Sequence, residues 1–326
     1  MPELDAQIEA FPLKRHFTIS RGSKNETIVV VATIRDGGVV GRGECGPNAR
    51  YDETPEGVAA DILAMAPAVH AGLSRAALMD AMPPGAARNA LDCALWDFEA
   101  AMSGTPARVR SGIGDLRPVV TAFTLSADGP SEMASAAAAN ADRPLLKLKL
   151  TGDGDLERVQ AVRSAAPTPR LIVDANEAWD VAAYEAFVPE FRALGVEMIE
   201  QPFPAGDDTA LLHLARPIPV CADEAFHDVE SLPALAGKYD LVNIKLDKTG
   251  GLTAALVAAN AAQAAGFAVM VGCMVGTSLA MAPAMLVAQG AAYVDLDGPL
   301  LLAEDREPGL TVDRSELSLP PSGLWG

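Results

Sequence analysis

The chain has 326 residues, half of them hydrophobic, and carries 25 Lys+Arg against 43 Asp+Glu for a net charge of −18. That length suits a barrel of roughly 200–250 residues with a smaller domain beside it, and so acidic a balance argues against nucleic acid or an anionic membrane as partner. Cys45, Cys93, Cys221 and Cys273 are far apart and form no CxxC pair, which suggests neither a disulfide framework nor a thiolate zinc site and fits free thiols in a cytoplasmic protein.

The N-terminal stretch MPELDAQIEAFPLKRHF is acidic and has no apolar core, so no signal peptide is expected. Thr27 to Arg35 is a β-branched run closed by the Asp36-Gly37-Gly38 turn signal, and Val39 to Glu44 follows it, so a hairpin is predicted. Gly41-Arg-Gly43-Glu-Cys-Gly46 matches GxGxxG. No helix opens after it, so it reads as a hairpin exit rather than a nucleotide loop. Ala90, Leu91, Ala94, Leu95 and Phe98 make an apolar stripe at helical spacing within Ala86 to Ala101, and Ser103-Gly104-Thr105-Pro106 ends that helix.

From about residue 118 short apolar runs recur: Val119–Thr124, Leu145–Leu150, Leu171–Asn176, Val196–Gln201, Pro219–Glu224, Leu241–Leu246, Val269–Met274 and Tyr293–Asp297. These eight candidate strands start 22–28 residues apart with helix-forming sequence between them, which implies parallel pairing and a closed β/α barrel. Leu252 to Val294 carries no charge, but Asn260, Gln263, Gly266, Gly272, Gly276, Pro283 and Gln289 interrupt it, which argues against a membrane span. The tail from Leu300 is predicted to fold back on the first domain.

Polar residues interrupt these strands late, after an apolar start. Lys147 and Lys149 fall in the second, Asp174 in the third, Glu200 in the fourth, Asp223 in the fifth, Lys245 in the sixth, Cys273 in the seventh, and Asp295 and Asp297 in the eighth. A lone charge at a strand end is ordinarily a solvated loop residue. Charges at the same end of strand after strand would be costly to bury without a purpose, and that end is where barrel enzymes place their active sites. Asp174, Glu200 and Asp223 offer hard oxygen ligands from three adjacent strands, a donor set that suits Mg²⁺. The four histidines are scattered and suit no zinc site. Mg²⁺ and a neighbouring ammonium lower a lysine's pKa, which makes Lys149, beside Lys147, a candidate base. The second and sixth strands of a barrel face each other, so Lys149 and Lys245 are placed to remove and return an α-proton on opposite faces of a carboxylate substrate.

At these residues the chain resembles the enolase superfamily, in its dipeptide epimerase group. The resemblance covers nearly the whole chain and rests on SRGSKNE, GAARNALDCALWD, KLK, VDANE, EQP, CADE, NIKLDKTGG, GCM and DLDG in combination. It implies a modified (β/α)₇β barrel over residues 118–299 under an α+β capping domain over 1–117, completed by the tail 300–326. It implies Mg²⁺ on Asp174, Glu200 and Asp223, Lys149 and Lys245 as the acid/base pair, and Lys147 against the substrate carboxylate. Asp295 and Asp297 match a DxD pair for the α-ammonium of a dipeptide, and Arg21 matches the position that holds an acidic side chain, with Lys24 a second candidate. Thr124 and Cys273 match further substrate contacts, and the loop Gly46 to Tyr51 belongs to a region that shapes specificity. The implied substrate is L-Ala-D/L-Glu, in the recycling of cell-wall peptides.

The same lysines and ligands would serve a cycloisomerase, an o-succinylbenzoate synthase or an N-acylamino acid racemase. The DxD pair favours a substrate with a free amino terminus. A non-catalytic metal-binding barrel would be favoured by loss of a lysine or ligand, and none is lost. A two-metal phosphohydrolase would need a bridging ligand set that is lacking. The sequence leaves the oligomeric state, homo-oligomer included, open.

Overall fold

In the computed structural model, which describes residues 1–326, three antiparallel strands open the chain: β1 (Glu3–Ile19), β2 (Gly22–Asp36) and β3 (Val39–Cys45). Asp36 pairs with Val39 across the predicted hairpin. Gly37 takes φ +59°, the left-handed conformation that a two-residue hairpin turn requires. β1 has no fully buried residue and therefore leaves no alternating apolar pattern in the sequence.

The predicted helix runs Ala86–Ser103 and ends at Gly104 with φ +67°. It lies so close on β3 that a Cβ on Gly43 would overlap the Ala90 carbonyl oxygen, and one on Gly41 the Phe98 backbone nitrogen. The first two glycines of the GxGxxG match thus serve strand–helix packing, whereas a Cβ on the third, Gly46, would crowd Met274.

Eight parallel strands follow in one sheet, each beside its sequence neighbour: β5 (Phe123–Leu125), β6 (Leu145–Lys149), β7 (Arg170–Asp174), β8 (Val196–Glu200), β9 (Val220–Ala222), β10 (Leu241–Ile244), β11 (Ala268–Gly272) and β12 (Tyr293–Asp295). A bond from Ala122 N to Val294 O (2.8 Å) links the two end strands, so this is a nearly closed modified (β/α)₇β barrel. The first predicted strand is split. Its start, β4 (Val119–Val120), pairs antiparallel with Glu316–Leu317 of the tail instead of joining the barrel. The connection after β8 holds only a 3₁₀ turn at Thr209–Leu212, where Pro202, Pro204 and Gly206 oppose a longer helix, and that after β9 a 3₁₀ turn at Val229–Ser231 running into a short helix at Leu232–Leu235. No helix is long and apolar enough to cross a membrane.

Strand period two explains how the barrel carries its site. Ala122, Leu145, Ile172, Met198, Cys221, Leu241 and Met270 form a buried apolar cluster of their own. Two residues on along each strand the type changes: Leu145 leads to Lys147 and Lys149, Ile172 to Asp174, Met198 to Glu200, Cys221 to Asp223, and Leu241 to Asn243 and Lys245. The barrel is plugged by apolar side chains below and lined by ionisable ones above.

The capping helix grips the segment that follows Lys245. Arg88 donates to the carbonyls of Thr249 (2.8 Å) and Gly250 (3.1 Å). Asp247 Oδ1 accepts from Asn89 Nδ2 (3.0 Å) and Gly46 N (2.9 Å). Asp92 accepts from Thr253 N (2.8 Å) and Thr253 Oγ1 (2.7 Å). In the tail, Trp325 Nε1 donates to the Cys93 carbonyl at 3.0 Å.

Candidate active site

A cavity of about 730 Å³ opens over the upper end of the barrel. Lys149, Asp223, Lys245, Cys273, Asp295 and Asp297 line it from the barrel, and Arg21, Lys24 and Tyr51 from the capping domain. Lys149 is the last residue of its strand, whereas Asp223, Lys245 and Cys273 each stand one residue past theirs; the backbone turns one step earlier than the apolar runs suggest.

Asp174, Glu200 and Asp223 are buried, and one carboxylate oxygen from each lies within 4.8 Å of the others. Burial and the Asp174 carboxylate push Glu200 up to about 7. Its Oε2 is ion-paired with Lys147 Nζ at 2.7 Å, and its Oε1 accepts from Asn243 Nδ2 at 2.8 Å. Three buried carboxylates converging from adjacent strands are the hard oxygen donors that fit a divalent cation of the Mg²⁺ kind.

Every barrel lysine of the site rests on a carboxylate. Lys149 Nζ is 2.5 Å from Asp174 Oδ2, and Lys245 Nζ is 2.7 Å from Asp223 Oδ2. Burial lowers the Lys245 ammonium, but Asp223 and Glu200 outweigh it and hold it above the ordinary lysine range. Lys147 is fully enclosed, 2.7 Å from both Glu200 Oε2 and Asp295 Oδ2 and 3.3 Å from Asp174 Oδ2. It is raised in the same way. Two strand-end features predicted to meet substrate, Lys147 and Asp295, therefore meet each other. Asp297 Oδ2 accepts from Thr124 N at 2.6 Å, and burial beside Asp295 pushes it up to about 7. Thr124 Oγ1 faces Asp295 Oδ1 at 3.4 Å. Cys273 is half-buried, its thiol raised by burial.

Arg21 and Lys24 differ in their surroundings. Arg21 is ion-paired with Glu224 (2.7 Å) and Glu177 (3.1 Å). Lys24 has Thr27 Oγ1 at 3.4 Å and no carboxylate within ion-pair distance, and burial lowers its pKa.

Sequence reasoning assigned no role to Asn243, Lys248, Glu224 or Glu177. Asn243 Nδ2 donates to Glu200 Oε1 at 2.8 Å, and its place two residues before Lys245 was a signal that period two could have exposed. Lys248 holds Asp223 Oδ1 at 2.7 Å. Glu224 is buried with Oε2 unpartnered, as is Asn176 Oδ1.

Residues 5–108 match the mandelate racemase / muconate lactonizing enzyme N-terminal domain, and residues 132–321 the enolase C-terminal domain-like family. The L-Ala-D/L-Glu epimerase of Escherichia coli (strain K12) is 45% identical over 313 residues, 95% of this chain and 98% of that protein. An N-acetyl-D-glutamate racemase of a Pseudoalteromonas species is also 45% identical, over 301 residues, 91% of this chain and 95% of its own length. The crystal structure of an enolase family member from Agrobacterium tumefaciens with homology to dipeptide epimerases, holding sodium and L-Ala-L-Glu, superposes with a TM-score of 0.99 at 52% identity over 100% of both chains.

Proposed function

The chain belongs to the enolase superfamily and is an isomerase acting on amino acid derivatives, and from that premise we propose that it epimerises L-Ala-D/L-Glu at the second residue. The observation that carries this reading is the placement of Lys149 and Lys245 on facing walls of one cavity. Three strands separate β6 from β10 in either direction around the barrel. A Cα between them presents its hydrogen to one lysine in the L configuration and to the other in the D configuration, so each lysine serves as base for one epimer and acid for the other.

Asp174, Glu200 and Asp223 would hold Mg²⁺. When bound, the ion supplies fixed positive charge for the substrate carboxylate and for the negative charge that develops as the α-proton leaves. Lys147 adds a buried positive charge beside that carboxylate. Asp295 and Asp297, with Thr124 and Cys273 beside them, receive the amino-terminal end. Arg21 and Lys24 face the acidic side chain, and Lys24 is the one with no carboxylate already on it. Residues 1–117 with the tail 300–326 act as the cap, and 118–299 as the catalytic barrel. The four free cysteines accord with a cytoplasmic setting, and the substrate with cell-wall peptide recycling.

A second reading, racemisation of an N-acylated glutamate, is favoured by one observation. Asp295 is already paired with Lys147, which reduces the negative charge left for an ammonium. The test is to incubate the protein with Mg²⁺ and either L-Ala-L-Glu or N-acetyl-D-glutamate and separate the products by chiral chromatography. L-Ala-D-Glu from the first alone supports the proposal; turnover of the second alone replaces it with the racemase reading.

A further inference from the structure

Two stretches of the capping domain roof the cavity: the turn between β1 and β2, and the loop that follows β3. Each is tied at its base. Thr18 N donates to Ser126 Oγ (2.7 Å) and Thr27 Oγ1 to the Val275 carbonyl (2.8 Å), bracketing the first. Gly46 N on Asp247 and Ala86 N on Glu53 Oε1 (2.7 Å) bracket the second. Their tips converge on one barrel residue. Arg21 Nη1 lies 3.1 Å from Glu177 Oε2, and Arg50 reaches the same carboxylate side-on, Nε to Oε2 at 3.0 Å and Nη2 to Oε1 at 2.9 Å. Ala205 N donates to Oε1 at 2.7 Å, so neither oxygen is left without donors.

The backbone beneath is sharply bent. Asn176 and Glu177 both adopt left-handed φ, +45° and +68°, which a non-glycine residue takes up only when its surroundings impose it. The bend turns the Asn176 carbonyl toward the roof, where Ser20 Oγ (2.6 Å) and Arg21 Nη1 (3.1 Å) donate to it. Beneath the roof, the side chains of Lys149 and Lys245 are only 10% and 9% exposed. Arg21, Arg50 and Tyr51 of these segments line the same cavity as the two lysines.

We propose that Glu177 is a positioning residue that latches both roof segments shut over the cavity, with Glu224 adding a second hold on Arg21, and that it thereby controls admission and release of substrate without touching the reacting atoms. Its kinetic consequence rests on the dipeptide reading above; its effect on the roof does not.

The test uses Glu177→Gln in the full-length protein, which turns one acceptor oxygen into a donor facing the arginines. Hydrogen–deuterium exchange of peptides covering residues 19–25 and 47–52 is expected to quicken in both together, while the helix Leu252–Ala264 stays unchanged. With L-Ala-L-Glu, KM should rise about tenfold, the weight of a charge-assisted bidentate contact, and kcat should stay equal or increase. Added KCl should raise KM of the parent protein by a larger factor than that of the variant. Arg50→Gln, on the more exposed partner, should loosen the 47–52 segment, and unchanged exchange there overturns the latch if Glu177→Gln does not fold. Unchanged exchange in folded Glu177→Gln, or loosening of one segment only in that variant, overturns the latch. A fall in kcat at constant KM would place Glu177 in the chemistry instead. If no dipeptide is turned over, the dipeptide reading fails and the exchange measurement still decides the latch.

Discussion

Lys245 Nζ stands 2.7 Å from Asp223 Oδ2, so the candidate acid/base and a candidate metal ligand share one contact. Lys248 holds the opposite oxygen. Burial works to raise Asp223, but the two ammonium groups outweigh it and keep the carboxylate well below its ordinary range. The ligand is therefore ionised before any cation arrives.

From this follows the metal dependence. Chelation should abolish activity, by about a hundredfold or more if several kcal/mol of charge stabilisation are lost, while far-UV circular dichroism stays unchanged, because the barrel core is apolar and separate. Mg²⁺ should raise the Tm of the parent protein. Asp223→Asn should lose both the activity and most of that Tm increment. Full activity in excess chelator would contradict the assignment.

The site was readable where strand geometry governs it. Lys147, Lys149, Asp174, Glu200 and Lys245 follow from period two and a common strand end. What was not readable depends on how distant elements meet. The pairing of Lys147 with Asp295 joins residues 148 apart, that of Arg21 with Glu224 residues 203 apart, and that of Arg50 with Glu177 residues 127 apart. No local pattern records the seating of a cap on a barrel. β1 escaped because none of its side chains is fully buried, and the division of the first barrel strand escaped because its partner lies in the tail.

Under the proposed function, side-chain specificity would divide between two cations, Arg21 and Lys24. Lys24→Met should lower kcat/KM for L-Ala-L-Glu roughly ten- to a hundredfold, the cost of one charge-assisted contact, and should change a dipeptide with a neutral second residue little. Arg21→Glu should also depress L-Ala-L-Glu, since it sets a third carboxylate beside Glu177 and Glu224. It should spare or improve a dipeptide with a basic second residue. An unchanged preference in both variants would mean that neither residue reads the side chain. Steady-state kinetics on the three dipeptides decides.

Stability should respond to pH through Asp92. Burial raises this carboxyl to about 6, partly opposed by its bonds from Thr253. The folded state then holds the proton more tightly than the unfolded chain, so the residue's contribution is most favourable at low pH and is lost as pH rises through about 6. Asp92→Asn cannot titrate. Relative to the parent, the variant should gain about 1.4 kcal/mol between pH 5 and pH 7.5, read from urea unfolding at both values. A pH-independent difference would contradict the burial argument.

The cap's packing gives a further check. Gly43→Ala should destabilise by about 1–3 kcal/mol or more, because the new Cβ overlaps the Ala90 carbonyl oxygen. Gly38→Ala meets nothing within 4 Å and should leave the Tm nearly unchanged. Equal Tm values for the two variants would refute this account of the glycine pattern.

The central claim is that Lys149 and Lys245 act on opposite faces of one carbon, and deuterium exchange tests it most directly. Lys149→Met and Lys245→Met are each incubated in D₂O with Mg²⁺ and, separately, L-Ala-L-Glu and L-Ala-D-Glu, and exchange at the glutamate Cα is followed by mass spectrometry and proton NMR. The account predicts that neither variant epimerises, and that each exchanges the α-hydrogen of one epimer only, the two variants selecting opposite epimers. Exchange of both epimers by both variants, or epimerisation surviving in either, would contradict it.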